Sequence, residues 1–579
     1  MNIPFDTLVI RALNAYRVRH LPTYVGLRAF TDATIRGPGK GWGEQLAIQA
    51  TSSQRASRYY KFLIPKEVEN DHVYYRDCLI GSPVTAVAEA LVLGIMAAQP
   101  EFAVEDCVYS YLWPASTSSG RNFRYFFHGY ARRNEIVSTH LAKHPGDVAI
   151  VADIKKFYPS IVWERLSPRL SRRLGNTDST QRRIVEGFLS AMRQASPNGI
   201  PIGPEASHAL GHVAMEEVDR AMRRSLGRSY CRYVDDIIIL CASSDADRWR
   251  RELARLIAGE GLSLHEGKDD RLTAAEWLHN VPKSSAPNDR DSFESIVETL
   301  RFLMLLQPKK YDNLVHAFKD AGISLPLAKL RTEVRYAPFQ RFQIALARSK
   351  HRRRYIWRLL NRAESDIVAS AIRARENLRR TLMNLSHEQP ARGGMRRRWF
   401  VQRCRYCLPR LLYLMPETSY PELELLIPPG DEFAEFRALL TALIHIDPVP
   451  ILRFPGPPIW TFAELAGDRG PIVVPPQLPF QASRAVADSL AALALLTKCD
   501  VPHKIAATLQ VGSRILVEIC TKNASDNAGI HEQSYLDELE LLLRATGRDT
   551  LAGFSSTRYD EREHPGLAAL LLDSGGYAS

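Results

Sequence analysis

A mixed α/β part followed by an all-helical part, an α+β chain overall, is the fold class the sequence predicts, and three observations predict it. Short apolar runs of strand type, such as VAIVA at 148–152 and IIIL at 237–240, alternate with helical stretches up to about residue 285. Beyond that point apolar residues recur at helical spacing in segment after segment: 293–306, 310–321, 338–385, 396–414, 432–446, 482–497, 501–522 and 533–546. Between the two regimes the stretch SSAPNDRD (284–291) supplies turn residues and a helix N-cap. The expected domains are therefore residues 1–285 and 286–579. Helix after helix with short connections predicts an α-solenoid or an irregular bundle, although no fixed period marks repeats. Residues 447–479 hold nine prolines, which cannot continue a helix, and are expected to form an ordered extended loop between helical layers.

Bulk properties exclude several classes. A chain of 579 residues that is 45% hydrophobic buries sizeable cores. Its longest apolar runs, such as VAEALVLGIMAA (87–98), fall short of a membrane span, and MNIPFDTLVIRALN lacks the basic start and unbroken apolar core of a signal peptide, so no membrane partner and a cytoplasmic address are expected. Eight cysteines are too few for a disulfide framework in a chain of this size, and the lone CxxC of Cys404 and Cys407 reads as reduced helix cysteines.

Charge is concentrated. Between Lys350 and Arg410 there are 17 Lys and Arg against 4 Asp and Glu, an excess that accounts for the whole chain's net +12. The blocks HRRRYIWRLLNR and GMRRRWFVQRCRY interleave Arg352, Arg353, Arg354, Arg396, Arg397 and Arg398 with aromatic rings, a combination that suits phosphates and stacked bases and makes these arginines candidate nucleic-acid contacts.

The chemistry-bearing residues are acidic. In YCRYVDDIIIL (230–240) two strands rich in Tyr and Ile flank Val234-Asp235-Asp236, which places both carboxylates at the turn of a β-hairpin. Like charges held this close persist when cations neutralise them, and hard oxygen donors suit Mg²⁺, or Mn²⁺ in its place. Upstream, VAIVAD reads as a fully buried strand ending on Asp153, followed by KKFYPSI. If that strand pairs with the hairpin, the carboxylates of Asp153, Asp235 and Asp236 are expected to hold two divalent ions for transfer of a nucleotide to a hydroxyl.

At this point the sequence resembles the reverse transcriptases. DIKKFYPSI (153–161), GIPIGPEASHAL (199–210), YVDD (233–236) and GLSLHEGK (261–268) are similar to their motifs A, B, the YxDD box and D, in the family's order and spacing. The resemblance implies a right-hand polymerase, with fingers and palm in residues 1–285 and a large all-α, HEAT-like domain in place of a conventional thumb. It implies that KFLIPKEVENDHVYYRD (61–77) forms the opening strands, with Lys66 and Arg76 on the incoming triphosphate, and that Tyr158 excludes a ribose 2′-hydroxyl and so favours dNTPs. Gly199 and Gly203 are expected to let backbone approach the base pair, and Lys268 matches a general acid for pyrophosphate. One departure stands out: Ile202 and His208 replace the Gln and Pro usual in motif B, where template and nucleotide are read.

The overall pattern is most similar to the abortive-infection and other defence-associated reverse transcriptases of bacteria, including segments like GSPVTAVAEALVL (81–93), VYSYLWP (108–114) and FRYFFHGYARRNE (123–135). That resemblance implies an antiphage DNA polymerase that works without a template and primes on a protein hydroxyl, with a DNA product, RNA as a further partner, and a homo-oligomeric state. Tyr577 in the tail DSGGYAS is one candidate hydroxyl. The alternatives are a templated retroelement enzyme, of diversity-generating or retron type, and a catalytically silent nucleic-acid-binding scaffold.

Overall fold

A computed structural model describes residues 3–36, 41–51, 58–117, 119–266, 270–281, 292–325, 361–388, 394–467, 469–521, 534–546 and 551. At its centre is a four-stranded antiparallel sheet of order β4-β5-β3-β6, built from β3 (Asp147–Asp153), β4 (Tyr230–Tyr233), β5 (Asp236–Ala242) and β6 (Asp270–Thr273). Both faces of this sheet are covered. Val148, Ile150, Ala152, Ile237 and Ile239 enter the main core, which includes the helix Ala206–Leu226, whereas Ala149, Val151, Ile238 and Leu240 enter a second cluster with Val137, Leu141, Trp277 and Trp399. Successive side chains of a strand point to opposite faces, so a sheet covered twice needs apolar residues at every position. That explains why VAIVAD shows no alternation. Each fully buried Val or Ile contributes roughly 1.5–3 kcal/mol.

A separate antiparallel hairpin is formed by β1 (Tyr59–Glu69) and β2 (His72–Gly81), turning at Asn70 and Asp71, both with φ near the left-handed region that such two-residue turns require. Helices Phe5–Tyr16, Leu21–Thr31 and Pro83–Ala97 pack behind it.

After residue 292 the described chain is mostly helical, apart from the two-residue strands β7 (Ile472–Val473) and β8 (Cys499–Asp500), which pair in parallel. Glu364–His387 packs on Gly394–Leu414, and Ala434–His445, Pro457–Gly467, Arg484–Leu496 and Val511–Cys520 follow as a chain of packed neighbours. The last of the described helices fold back on the start of the chain: Arg484–Leu496 lies on β1, and Ser534–Thr546 lies on Leu21–Thr31.

Three expectations are corrected. The proline-rich stretch is no extended loop throughout, because Pro457–Gly467 is a buried helix. Pro457 and Pro458 open its first turn, where a missing N–H is harmless. The span 501–522 is two helices, His503–Thr508 and Val511–Cys520, and Asp236 begins a strand instead of lying wholly in the turn. The expected boundary at 285, most of 338–363 and Tyr577 lie outside the described residues.

Candidate active site

The register of the central sheet sets Asp153 opposite Asp236, at the ends of β3 and β5, while Tyr233 of β4 pairs with Asp236 from the other side. Asp153 is buried, and Asp235 and Asp236 are half-buried. Just past β3 the backbone is clamped from two directions. The Ile154 amide donates to the Asp235 carbonyl (3.2 Å), the His265 amide donates to the Asp153 carbonyl (2.7 Å), and the Lys155 amide donates to the Ser263 carbonyl (2.8 Å). The segment 263–265 therefore lies alongside the first carboxylate. Lys268 falls outside the described residues.

The turn itself is strained. Val234 has φ +58°, a left-handed conformation that costs a β-branched residue of order 1–2 kcal/mol. Its surroundings hold it there: the Val234 amide donates to Ser110 Oγ (2.8 Å), and Arg232 Nη1 donates to the Val234 carbonyl (2.9 Å). Arg232 is fully buried, and its other nitrogens reach both oxygens of Asp219 (2.7 and 2.6 Å), which also accepts from the Tyr230 hydroxyl (2.9 Å). This three-residue network fixes the hairpin from beneath, so the position of Asp235 is set by neighbours on its own strand and on the helix Ala206–Leu226.

A second arginine meets the carboxylates from above. Arg398, on the helix Gly394–Leu414, places Nη1 3.1 Å from Asp236 Oδ1 and Nη2 3.7 Å from Asp153 Oδ2. Its neighbours are occupied otherwise: Arg396 pairs with Glu276, and Arg397 grips Glu432 through two bonds (2.9 and 3.1 Å). The three arginines of this block thus point at protein carboxylates in this structure, and one of the three seats is the candidate metal site. Arg352, Arg353 and Arg354 lie outside the described residues.

Among the described residues no three His, Cys, Asp or Glu side chains stand gathered as a ready metal cage. The donor set nevertheless fits a hard divalent cation. Asp153 and Asp236 already share a guanidinium, a stand-in positive charge, and a third carboxylate, Asp235, sits next to Asp236 in the chain.

Beside the carboxylates lies an aromatic group. The Tyr158 hydroxyl is 2.5 Å from His208 Nδ1, and the Tyr111 ring stacks on the His208 ring at 3.4 Å and 8°. Burial, with Arg19 and His212 adding to it, pulls His208 well below its usual range, so at neutral pH the ring that shares a hydrogen bond with Tyr158 is uncharged. Burial, then the proximity of Tyr111 and Asp235, pushes the Tyr158 hydroxyl well above 10. It stays protonated.

The motif glycines serve a different contact from the one expected. A Cβ on Gly203, whose φ is +116°, meets the Leu79 carbonyl at 2.2 Å, and a Cβ on Gly199 meets the Pro159 carbonyl at 2.1 Å. These close approaches are to the chain's own backbone, and the Leu79 amide donates to the Ile202 carbonyl (2.8 Å), sealing residues 202–203 onto the fingers strand β2. Lys66 and Arg76 sit on exposed positions of the hairpin, where Lys66 pairs with Glu67 at 2.6 Å. Sequence reasoning missed Ser110, Tyr111, His212 and the Arg232–Asp219 pair; only Arg232, one residue before the YVDD tyrosine, carried a local signal.

Comparison with known proteins agrees with this geometry. The family model for "Reverse transcriptase (RNA-dependent DNA polymerase)" matches residues 104–296. Those residues form a reverse transcriptase domain. They contain Asp153, the YVDD hairpin, Tyr158, His208 and Ser110. The retron Mx162 reverse transcriptase of Myxococcus xanthus is 24% identical, over 24% of this chain and 34% of that protein, so the chain spans about a third of that relative's length. Two solved structures show a faint likeness: telomerase from Candida albicans in complex with a fragment of telomeric RNA (10% identity, 70% of this chain and 69% of that one, TM-score 0.29) and apo telomerase from Candida tropicalis (11%, 64% and 69%, TM-score 0.29). The assignment rests on the family model. The domain that the family model describes is of polymerase type, and no helix among the described residues is long and apolar enough to cross a membrane.

Proposed function

We propose that this protein is a reverse-transcriptase-like DNA polymerase that adds dNTPs to a hydroxyl by two-metal catalysis at Asp153, Asp235 and Asp236. The observation that carries the reading is the register of Asp153 against Asp236 across β3 and β5, with a cation already seated on both. Divalent ions held by these carboxylates and the Ile154 carbonyl would lower the pKa of the attacking hydroxyl and offset the charge of the leaving pyrophosphate. The protein's own groups do the rest. The Arg232–Asp219 network keeps the carboxylate turn rigid, and the Tyr158 ring, braced by neutral His208, stands where it meets the sugar of a nucleotide placed at Asp153. Lys66, Arg76 and Lys268 are the candidate triphosphate and pyrophosphate contacts.

The finer reading is an antiphage polymerase that needs no template, primes on a protein hydroxyl and acts as an oligomer, with the succession of packed helices after residue 292 serving as a HEAT-like scaffold. Its support is the motif B region, where Ile202 and His208 stand in place of the family's Gln and Pro: the Ile202 carbonyl is bonded to β2 and His208 is stacked under Tyr111. The retron likeness favours a second reading, templated copying of RNA. One experiment separates them. The purified chain is incubated with labelled dNTPs and Mg²⁺ or Mn²⁺, with and without an RNA template, and its intact mass is measured. Covalent nucleotide addition without template supports the first reading, and synthesis that appears only with template and primer supports the second. Polymerisation undiminished in Asp235→Ala/Asp236→Ala overturns both.

A further inference from the structure

We propose that Arg398 is the resident counter-ion of the carboxylate site, and that a divalent cation must compete with its guanidinium for Asp153 and Asp236. This rests on the reading of those carboxylates as metal ligands and extends it, because the competitor belongs to the helical half of the chain.

The geometry carries the argument. One guanidinium spans two aspartates that face each other across paired strands, at 3.1 and 3.7 Å. Those oxygens are the ones a hard cation requires, and a guanidinium seated on them covers their free lone pairs and repels the incoming charge. Release must therefore accompany metal entry. The seat is also a loose one. Arg232, on the other side of the same turn, is 1% exposed and bonds Asp219 and the Val234 carbonyl at 2.6 to 2.9 Å, whereas the Arg398 side chain is 27% exposed and neither of its contacts to the carboxylates is shorter than 3.1 Å.

What moves is the side chain and not the helix. Just before Arg398, the Met395 amide donates to Asp270 Oδ2 (2.9 Å), so a β6 carboxylate caps the start of the helix; Gly394, at φ +73°, leaves room for that carboxylate, which a Cβ would meet at 2.7 Å. Just after it, Trp399 is buried edge-on against Trp277, with ring centroids 5.4 Å apart. With the backbone held at both ends, Arg398 exchanges by rotating its own long side chain toward solvent. A guanidinium freed there remains within reach of whatever phosphate the metals bring in, since its planar fork matches phosphate as well as carboxylate.

The test is direct binding of Mn²⁺ to the full chain without nucleotide, followed by electron paramagnetic resonance or calorimetry. Arg398→Ala is expected to bind Mn²⁺ tighter by roughly tenfold, and Arg398→Lys, which keeps a charge, is expected to stay closer to wild type. Arg396→Ala, which removes a cation two residues away that pairs with Glu276, is expected to leave Mn²⁺ binding unchanged. Thermal unfolding without metal confirms that each variant is folded. Binding that depends on Asp153 and Asp236 but is equal or weaker in Arg398→Ala overturns this inference and leaves the metal reading standing. Binding indifferent to Asp153→Ala/Asp236→Ala, or absent throughout, overturns the metal reading itself and this inference with it.

Discussion

Two arginines flank the YVDD turn, and they are built on opposite principles. Arg232 lies beneath it with every nitrogen engaged, inside the same domain, on an aspartate as buried as itself. Arg398 lies above it, partly exposed, and comes from a helix more than 160 residues later in the chain, on carboxylates whose proposed partners are metal ions. The difference teaches that a charge serves architecture when its partner has no other employment, and serves exchange when its partner is wanted elsewhere.

The comparison is broken most forcefully from below. Asp219→Ala leaves Arg232 charged, buried and uncompensated, a loss of about 3–5 kcal/mol, expected as a large fall in the urea midpoint. Arg232→Met/Asp219→Leu, which removes both charges and keeps volume, is expected to recover most of it; equal loss in the single and double variants contradicts the assigned role.

Acid probes the same floor. Burial, then the nearby Arg232 charge, pushes His212 down to about 3, while an unfolded histidine titrates near 6.5. Above pH 6.5 both states are neutral and the fold is at full strength. As pH falls below 6.5 the unfolded chain takes up a proton that the folded one refuses, so stability drops by up to about 1.4 kcal/mol per pH unit for this residue, until the folded value is reached. His212→Gln is expected to flatten the slope of melting temperature between pH 6.5 and 4.5.

Beside the turn, Tyr158→Phe removes the hydroxyl bonded to His208 while keeping the ring, at an expected cost of about 1 kcal/mol with discrimination against NTPs retained. Tyr158→Ala, in contrast, is expected to admit NTPs, measured as the ratio of dNTP to NTP incorporation. The smallest effect is expected above: Arg398→Ala shifts metal-free stability by less than about 1 kcal/mol, since a partly exposed pair is screened by water. A loss as large as that of Asp219→Ala makes Arg398 architectural and erases the contrast.

Much of this site was legible because its signals are local. The run VAIVA ends on Asp153 with no polar interruption, and YCRY and IIIL bracket a turn, so the strands β3, β4 and β5 follow from residues a few positions apart. Helices such as Phe293–Leu306 and Ala434–His445 match their apolar period closely for the same reason. What escaped depends on separation. The arginine block announces charge and aromatic rings, but nothing near Arg398 in the sequence names Asp153 or Asp236 as its partners. Gly203 declares an unusual backbone, whereas the identity of the carbonyl pressed against it, Leu79, is set by how the fingers pack. Proline density misled in 447–479 because a helix tolerates proline in its first turn, a matter of position and not of count.

The fold-back of the last described helix sets a schedule. Tyr535 bonds to Thr23 across 512 residues of chain (2.8 Å), and Glu538 accepts from the Val84 amide (2.7 Å), while Leu539 fills the space left by Gly26. At the usual 5–20 residues per second of synthesis, the partner of Thr23 emerges roughly 25–100 s after Thr23 itself. Until then the helix Leu21–Thr31 lacks this partner, although Asp153, Asp235 and Asp236 are complete about 300 residues earlier. A chain cut short between residues 236 and 535 therefore carries the candidate site spelled out and its scaffold unfinished.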